Sequence, residues 1–277
     1  MYNLSLKITT GHLNLMFRAR KPTPQIDNTA AILFIVAALF PVPAQAAHPL
    51  ITEDTGTQGR GKFQLELTAE SGRDDAGDVR EETVAMAAVL SYGMRNDTDV
   101  ILTLPRKRVH AEAAGDNTTE SGRTDAGLDL KWRFLEKENL SLALKPGVTF
   151  PAGDEAKGLG AGKSAYSLYL VTTIAPEPWA FHLHLGYIRN RNVLDEQEKV
   201  WHASFGGWRT VNKQLKLVFD AGRTTNTDKT LGTAPAFMIL GLIYSPRENF
   251  DLDFGVKKGL TGPETDYTLL GGVTLRF

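Results

Sequence analysis

The chain closes on YTLLGGVTLRF, residues 267–277. With a period of two it separates into a row of Tyr267, Leu269, Gly271, Val273, Leu275 and Phe277 and a row of Thr268, Leu270, Gly272, Thr274 and Arg276. Side chains of a β-strand alternate between the two faces of its sheet. One face of this strand is therefore apolar to its last residue, and the other is mostly small or polar. In a soluble sheet the apolar row would cover a core, whereas in an outer-membrane barrel it would face lipid. The rest of the sequence discriminates between the two.

Composition leaves the question open, since 42% hydrophobic and 23% charged residues in a chain of 277 are ordinary for a folded protein. The balance of 31 basic against 32 acidic residues supplies no basic footprint, so nucleic acid is set aside as a partner. The first residues say more. Arg18, Arg20 and Lys21 precede an apolar run from Ala30 to Phe40, and PVPAQA follows with Ala44 and Ala46 at A-x-A spacing. This pattern predicts a signal peptide over residues 1–46, cleaved after Ala46. The apolar run falls well short of the roughly 20 residues of a spanning helix. Its basic leader is long, and a start at Met16 would give one of ordinary length. The exported chain keeps 27 basic and 31 acidic residues and no cysteine, so neither a disulfide framework nor a lipidated N-terminal cysteine stabilises or anchors it.

Period two recurs along the mature chain. KFQLELTAE alternates Phe63, Leu65 and Leu67 with Gln64, Glu66 and Thr68, and GLDLKWRF alternates Leu128, Leu130, Trp132 and Phe134 with Asp129, Lys131 and Arg133. FHLHLGY alternates Phe181, Leu183, Leu185 and Tyr187 with His182, His184 and Gly186, and NFDLDFGVK alternates Phe250, Leu252, Phe254 and Val256 with Asp251, Asp253, Gly255 and Lys257. In all, twelve strands are predicted, over 62–71, 79–92, 98–106, 123–134, 140–150, 165–175, 179–190, 199–211, 214–225, 235–245, 249–258 and 266–277. Linkers after the odd-numbered strands are longer and rich in Gly, Asp, Asn and Thr, as in KRVHAEAAGDNTTESG and PAGDEAKGLGAGK. Those after the even strands are short: GMRND, LEKEN, APEP, VNK and PRE.

This is the layout of an all-β, transmembrane, antiparallel up-and-down β-barrel of outer-membrane type, with both chain ends on the periplasmic, short-turn side. A soluble β-sandwich alternates as well. It does not require the loop asymmetry, nor aromatics at strand ends such as Tyr92, Trp132, Phe134, Trp179, Tyr187, Trp201, Tyr244, Phe250 and Phe277, which suit the girdles at two lipid interfaces. Phe277 then ends the lipid-facing row at the periplasmic interface. Tyr267, Leu269, Val273, Leu275 and Phe277 form the expected C-terminal signal for the barrel-assembly machinery, which periplasmic chaperones would supply with unfolded chain.

The segments HPLITEDTGTQGRGKFQLEL, GLDLKWRFLEKENLSLALKPGVTFPAGDEAKGLGAGK and TDYTLLGGVTLRF occur in order between His48 and Phe277. Together they resemble the bacterial outer-membrane family labelled for the MetA pathway of phenol degradation, whose members are often called transporters. The resemblance implies an outer-membrane barrel of a Gram-negative bacterium, linked to uptake of aromatic or other small hydrophobic compounds. It assigns no residue to a substrate.

Motifs for chemistry are weak by comparison. GLGAGKS, Gly158 to Ser164, lacks the P-loop's first glycine, because Lys157 stands five before Gly162, and AYSLYLVTTI afterwards alternates like a strand. It reads as a glycine-rich surface loop. A phospholipase-like hydrolase would need a serine nucleophile and a histidine base in contact. His202 and Ser204 share a face but lie about 7 Å apart along a strand, a spacing expected to keep them from pairing. His182, His184 and His202 could converge across neighbouring strands, but there is no cysteine and no tight carboxylate cluster near them. No metal and no cofactor is expected.

The informative constellation is the inward row. Glu66, Asp129, Lys131, Arg133, Lys145, Lys216, Asp220, Asp251, Asp253 and Arg276 fall opposite the lipid-facing residues and, with His182, His184 and His202, are the candidate lumen-lining groups. Charges of both signs there suit a wet interior, either as cross-strand pairs that rigidify the wall or as the field that a solute meets. Eight strands enclose a space that side chains fill and sixteen or more leave an open channel, so about twelve give a narrow path that inward segments obstruct easily. Residues 47–61 form a short periplasmic N-terminal segment before the barrel of 62–277, too short for a plug domain yet able to fold into the mouth and gate it. The expected function is passive uptake of small aromatic or hydrophobic compounds across outer-membrane lipid. A closed structural barrel is the first alternative, and the membrane-embedded hydrolase the second.

Overall fold

The computed structural model describes residues 48–76, 79–113 and 116–277. The expected signal peptide, residues 1–46, lies outside the described residues. Among the described residues thirteen strand segments follow one another: β1 (Phe63–Ala76), β2 (Val79–Arg95), β3 (Thr98–Ala113), β4 (Asp116–Arg123), β5 (Ala126–Lys137), β6 (Leu140–Phe150), β7 (Ala165–Ile174), β8 (Trp179–Arg189), β9 (Lys199–Asn212), β10 (Leu215–Thr224), β11 (Ala236–Arg247), β12 (Phe250–Gly259) and β13 (Tyr267–Arg276). Consecutive segments pair antiparallel, except that β4 and β5 both pair with β3, and β1 pairs with both β2 and β13, so the sheet closes on itself.

Thirteen segments make twelve barrel positions, because β4 and β5 share one. β4 pairs with the far part of β3, from Arg106↔Arg123 to Ala113↔Asp116, and β5 with the near part, from Thr98↔Trp132 to Thr103↔Gly127. The register shifts by one residue between them at Thr124 and Asp125, the mark of a bulge. Asp125 uses the break: its carboxylate accepts the Gly153 and Ala161 N–H groups at 2.9 and 2.8 Å and so pins the loop after β6.

One rim carries short turns, after β2, β5, β7, β9 and β11, and the other carries the longer connections, after β6, β8, β10 and β12. The stretch KRVHAEAAGDNTTESG, expected as a loop, is instead mostly ladder: β3 runs on to Ala113 and β4 starts at Asp116. The first hairpin likewise continues to Ala76↔Val79. Once a strand leaves lipid its outward row no longer needs to be apolar, so the hydropathy alternation fades while the backbone pairing persists.

The core is inverted relative to a soluble protein. Leu102, Leu104, Leu168, Leu170, Leu240 and Phe254 are exposed on the outer wall, while Lys131, Lys145, His182, His184, Asp220 and Asp253 are buried inside. At the short-turn rim the closure is tight. Phe63 and Phe277 exchange backbone hydrogen bonds of 2.8 and 3.0 Å, their rings stack at 5.8 Å, and Tyr92 extends the row at 4.6 Å from Phe63. Closing the sheet leaves no unpaired strand edge in lipid, where each orphaned backbone group would cost several kcal/mol.

Candidate functional site in the barrel lumen

The residues before β1 turn into the barrel and cross its interior. His48 pairs with Asp253 of β12, and the Ile51 and Thr52 N–H groups donate to Asp220 of β10 at 2.6 and 2.7 Å, with the Thr52 hydroxyl at 2.5 Å. Glu53 accepts from Lys131 of β5 at 2.9 Å and from Lys145 of β6 at 2.5 Å. Thr55 meets Thr173 and Ser141, and the Gln58 N–H reaches Asp99 of β3 at 3.0 Å. The segment therefore spans the lumen from β12 to β3, with backbone donors spent on inward carboxylates. It goes deeper than the mouth. Leu50 packs on Val218, Ile243 and Trp208, and Ile51 against Phe237, Ile239 and Leu270.

Electrostatics hold it there. Burial pushes the Glu53 carboxyl up, but Lys131 and Lys145 beside it outweigh that and hold it down to about 2. Asp129 lies 3.8 Å from Lys145 and shares its charge. A buried ion pair gains little over an apolar substitute, yet losing one member leaves the other uncompensated.

On either side of the segment the lumen is open. Toward the short-turn rim is a cavity of about 580 Å³ bordered by His48, Glu53, Glu66, Lys131, Asp251 and Arg276. Toward the long-loop rim is another, of about 320 Å³, floored by Ile51 and walled in part by Tyr169, His184, Ile188, Val200 and His202. Tyr169, Ile188 and Val200 belong to a buried apolar cluster with Ala143 and Val171, inside the barrel rather than on its lipid face. Tyr169 lies over its cross-strand neighbour Gly186, where a Cβ would strike the ring. The inward face of β7 to β9 is thus an apolar and aromatic wall that the sequence reading, centred on charges, missed. Its sequence signal is faint: LYLV, 168–171, is apolar on both alternating rows, but so short a run does not say that its second row points into the lumen.

The candidate residues divide between these places. Glu66, Asp251 and Arg276 sit at the short-turn mouth, where Arg276 holds Asp251 at 2.5 Å and Gln64 at 3.1 Å, and Glu66 accepts from Gln64 at 2.9 Å. Lys131, Lys145, Asp220 and Asp253 bond to the N-terminal segment, and Asp129 stands behind Lys145. Arg133 stays at the rim with Glu136 at 3.2 Å, and Lys216 lies 4.6 Å over the Trp208 ring. The three histidines do not form one group. His184 and His202 stand edge to face at 5.3 Å beside Tyr169, while His182 turns to Trp208 and Thr173.

The expectation that His202 and Ser204 stay apart is corrected. Nε2 of His202 lies 3.0 Å from the Ser204 hydroxyl, and Nδ1 lies 2.9 Å from that of Thr224. An imidazole is long enough to lean along the strand and cover the gap between the two side chains. The third group is a hydroxyl, which orients the ring but brings no negative charge to an imidazolium.

Comparison with known proteins agrees with this architecture. The COG4313 outer membrane channel from Pseudomonas putida F1 superposes with a TM-score of 0.68 at 18% identity, over 81% of this chain and 98% of that one. The KdgM porin in complex with disordered oligogalacturonate gives 0.49 at 10% identity, over 77% and 99% of the two chains. The translocator domain of the autotransporter NalP from Neisseria meningitidis gives 0.48 at 11%, over 79% and 89%. No curated protein sequence matches. At 18% identity the likeness to the Pseudomonas putida channel establishes the fold, an outer-membrane-type β-barrel. The family described as "Putative MetA-pathway of phenol degradation" matches residues 46–277, which include every described residue, and this protein belongs to it.

Proposed function

We propose that the protein is a passive outer-membrane channel for small aromatic or hydrophobic compounds, exported by a signal peptide cleaved after Ala46 and placed by the barrel-assembly machinery with its long loops outside. The observation that carries this is the cavity of about 320 Å³ on the long-loop side, where Tyr169, Ile188 and Val200 offer an apolar wall beside the polar edges of His184 and His202. A small ring with one polar group can lie against such a wall without losing its hydrogen bonds. The inward charges at the opposite mouth set the field that a solute meets there, and the N-terminal segment stands between the two spaces. The phenol link comes from the family's description alone.

The test is single-channel conductance of the refolded chain from residue 47 in planar bilayers, with and without millimolar phenolic acids, alkanes and sugars. Steady conductance blocked by the phenolic compounds and not by sugars is expected. A second reading, a closed structural barrel, is favoured by the crossing segment and its Glu53 ion pairs. Silence both of the intact protein and of a variant lacking residues 47–58 would select it. The His202–Ser204 contact keeps a hydrolase testable: ester or phospholipid turnover lost in Ser204→Ala would overturn the channel as sole function.

A further inference from the structure

We propose that the outer face of β3 and β4 binds the phosphate groups of the outer-leaflet glycolipid around the barrel. The outward row of β3 runs Leu102, Leu104, Arg106 and Arg108, passing from exposed leucines to exposed arginines in a single step. Across the ladder Arg106 stands opposite Arg123 of β4 and Arg108 opposite Ser121. On the other flank the same two arginines stand opposite Met86 and Val84 of β2, both exposed and apolar. Three guanidiniums therefore gather at the height where the neighbouring strand still meets acyl chains.

Like charges directly opposite each other on one face of a sheet repel. Several outward cations elsewhere on this rim are neutralised: Arg73 and Arg80 share Asp75 at 3.0 and 3.1 Å, Arg189 meets Glu198 at 2.7 Å, and Lys258 lies 3.8 Å from Asp266. Arg106, Arg108 and Arg123 make no such pair with a carboxylate among the described residues. An anion from outside the chain would relieve their repulsion. Guanidinium forks bind phosphate oxygens in pairs, and the Ser121 hydroxyl adds a donor between them.

Position decides the source of that phosphate. Long aliphatic stems let the guanidiniums rise to headgroup level beside apolar neighbours. A lipid presents phosphate there together with acyl chains for Met86 and Val84, which a free ion does not. The long-loop side is the extracellular side of such barrels, so the leaflet is the outer one. The inference rests on the outer-membrane orientation and not on any transported solute, so a silent channel leaves it standing.

The experiment is native mass spectrometry of the refolded protein in detergent with bisphosphorylated lipid A, dephosphorylated lipid A or inorganic phosphate, on wild type and on Arg106→Gln/Arg108→Gln/Arg123→Gln. Wild type should retain bisphosphorylated lipid A about tenfold better than the triple variant does, and about tenfold better than it retains the dephosphorylated lipid. Millimolar phosphate should not displace it. Equal retention by the triple variant, or of the dephosphorylated lipid, would reduce the site to an ordinary acyl annulus and overturn the proposal. Displacement by phosphate alone would overturn it as well, in favour of a free-ion site. All three side chains are exposed, and heat-modifiable mobility reports folding. If the triple variant does not refold, Arg106→Gln alone is read against the same outcomes, since it removes one member of the opposed pair.

Discussion

The Lys145 ammonium lies 2.5 Å from Oε2 of Glu53, with both side chains buried, and Lys131 holds the other carboxylate oxygen at 2.9 Å. Two strand residues thereby grip one residue of the segment that crosses the lumen. The contact joins a local fact, alternating charges on β5 and β6, to a functional one, whether the barrel conducts.

Replacing Glu53 with Gln takes the nearest counter-charge from two buried ammonium groups and leaves Lys145 with Asp129 at 3.8 Å. Breaking a buried pair from one side costs about 3–5 kcal/mol. The N-terminal segment should loosen, so Glu53→Gln should conduct more than wild type and be cut faster by protease between residues 47 and 58. Wild-type conductance together with wild-type protection would remove Glu53 from any latch.

Acid should act on the same contact. The Glu53 carboxyl is held at about 2 in the folded protein, below its ordinary 4.5, because Lys131 and Lys145 outweigh the effect of burial. A depressed carboxylate contributes stability that is full above about pH 4.5 and lost as the pH falls toward 2, on the order of 3 kcal/mol. Conductance of wild type should therefore rise across that window. The Glu53→Gln variant should lack this rise, and an equal rise in both would assign the effect to other carboxylates.

Gly186 and Tyr169 set the shape of the outer cavity. Gly186→Val would drive the ring off its cross-strand neighbour and into the open space. Tyr169→Ala would remove the ring while leaving the β7–β8 ladder intact. An aromatic contact contributes about 0.5–1.5 kcal/mol beyond area, so block of the current by phenolic compounds should weaken roughly three- to tenfold in Tyr169→Ala. Block that is unchanged in both variants would place the solute path elsewhere.

Deleting Phe277 removes a reciprocal pair of backbone hydrogen bonds with Phe63 and a stacked ring at the seam between β1 and β13. The folded, heat-modifiable fraction after refolding into lipid should fall several-fold, since an open seam in a bilayer exposes polar backbone. A variant that refolds as fully as wild type would show the seam to be closed by the remaining register alone.

Much of this molecule was legible locally. KFQLELTAE, GLDLKWRF and FHLHLGY state which residues share a face, and lipid decides which face is out. The strand ends of the β3–β4 hairpin were not legible, because beyond the acyl layer a strand such as Arg106 to Glu112 loses its outward apolar row while keeping its hydrogen bonds. The reach of His202 to Ser204 was misjudged from backbone spacing, which ignores the length and lean of the imidazole. The inward apolar wall of Val171, Ile188 and Val200 was hidden too, since nothing in a short apolar run says that its second row points into the lumen.

The sequence by itself determined an alternating, asymmetrically looped chain whose outward apolar row runs through to Phe277, because period and loop length are properties of neighbouring residues. Tertiary structure alone decided what fills the barrel. Glu53 meets Lys131 and Lys145 from 78 and 92 residues away, and that meeting depends on the stagger at which twelve strands close. Closure is a global constraint, and it turns an inward row of charges into a wall with a segment locked across it.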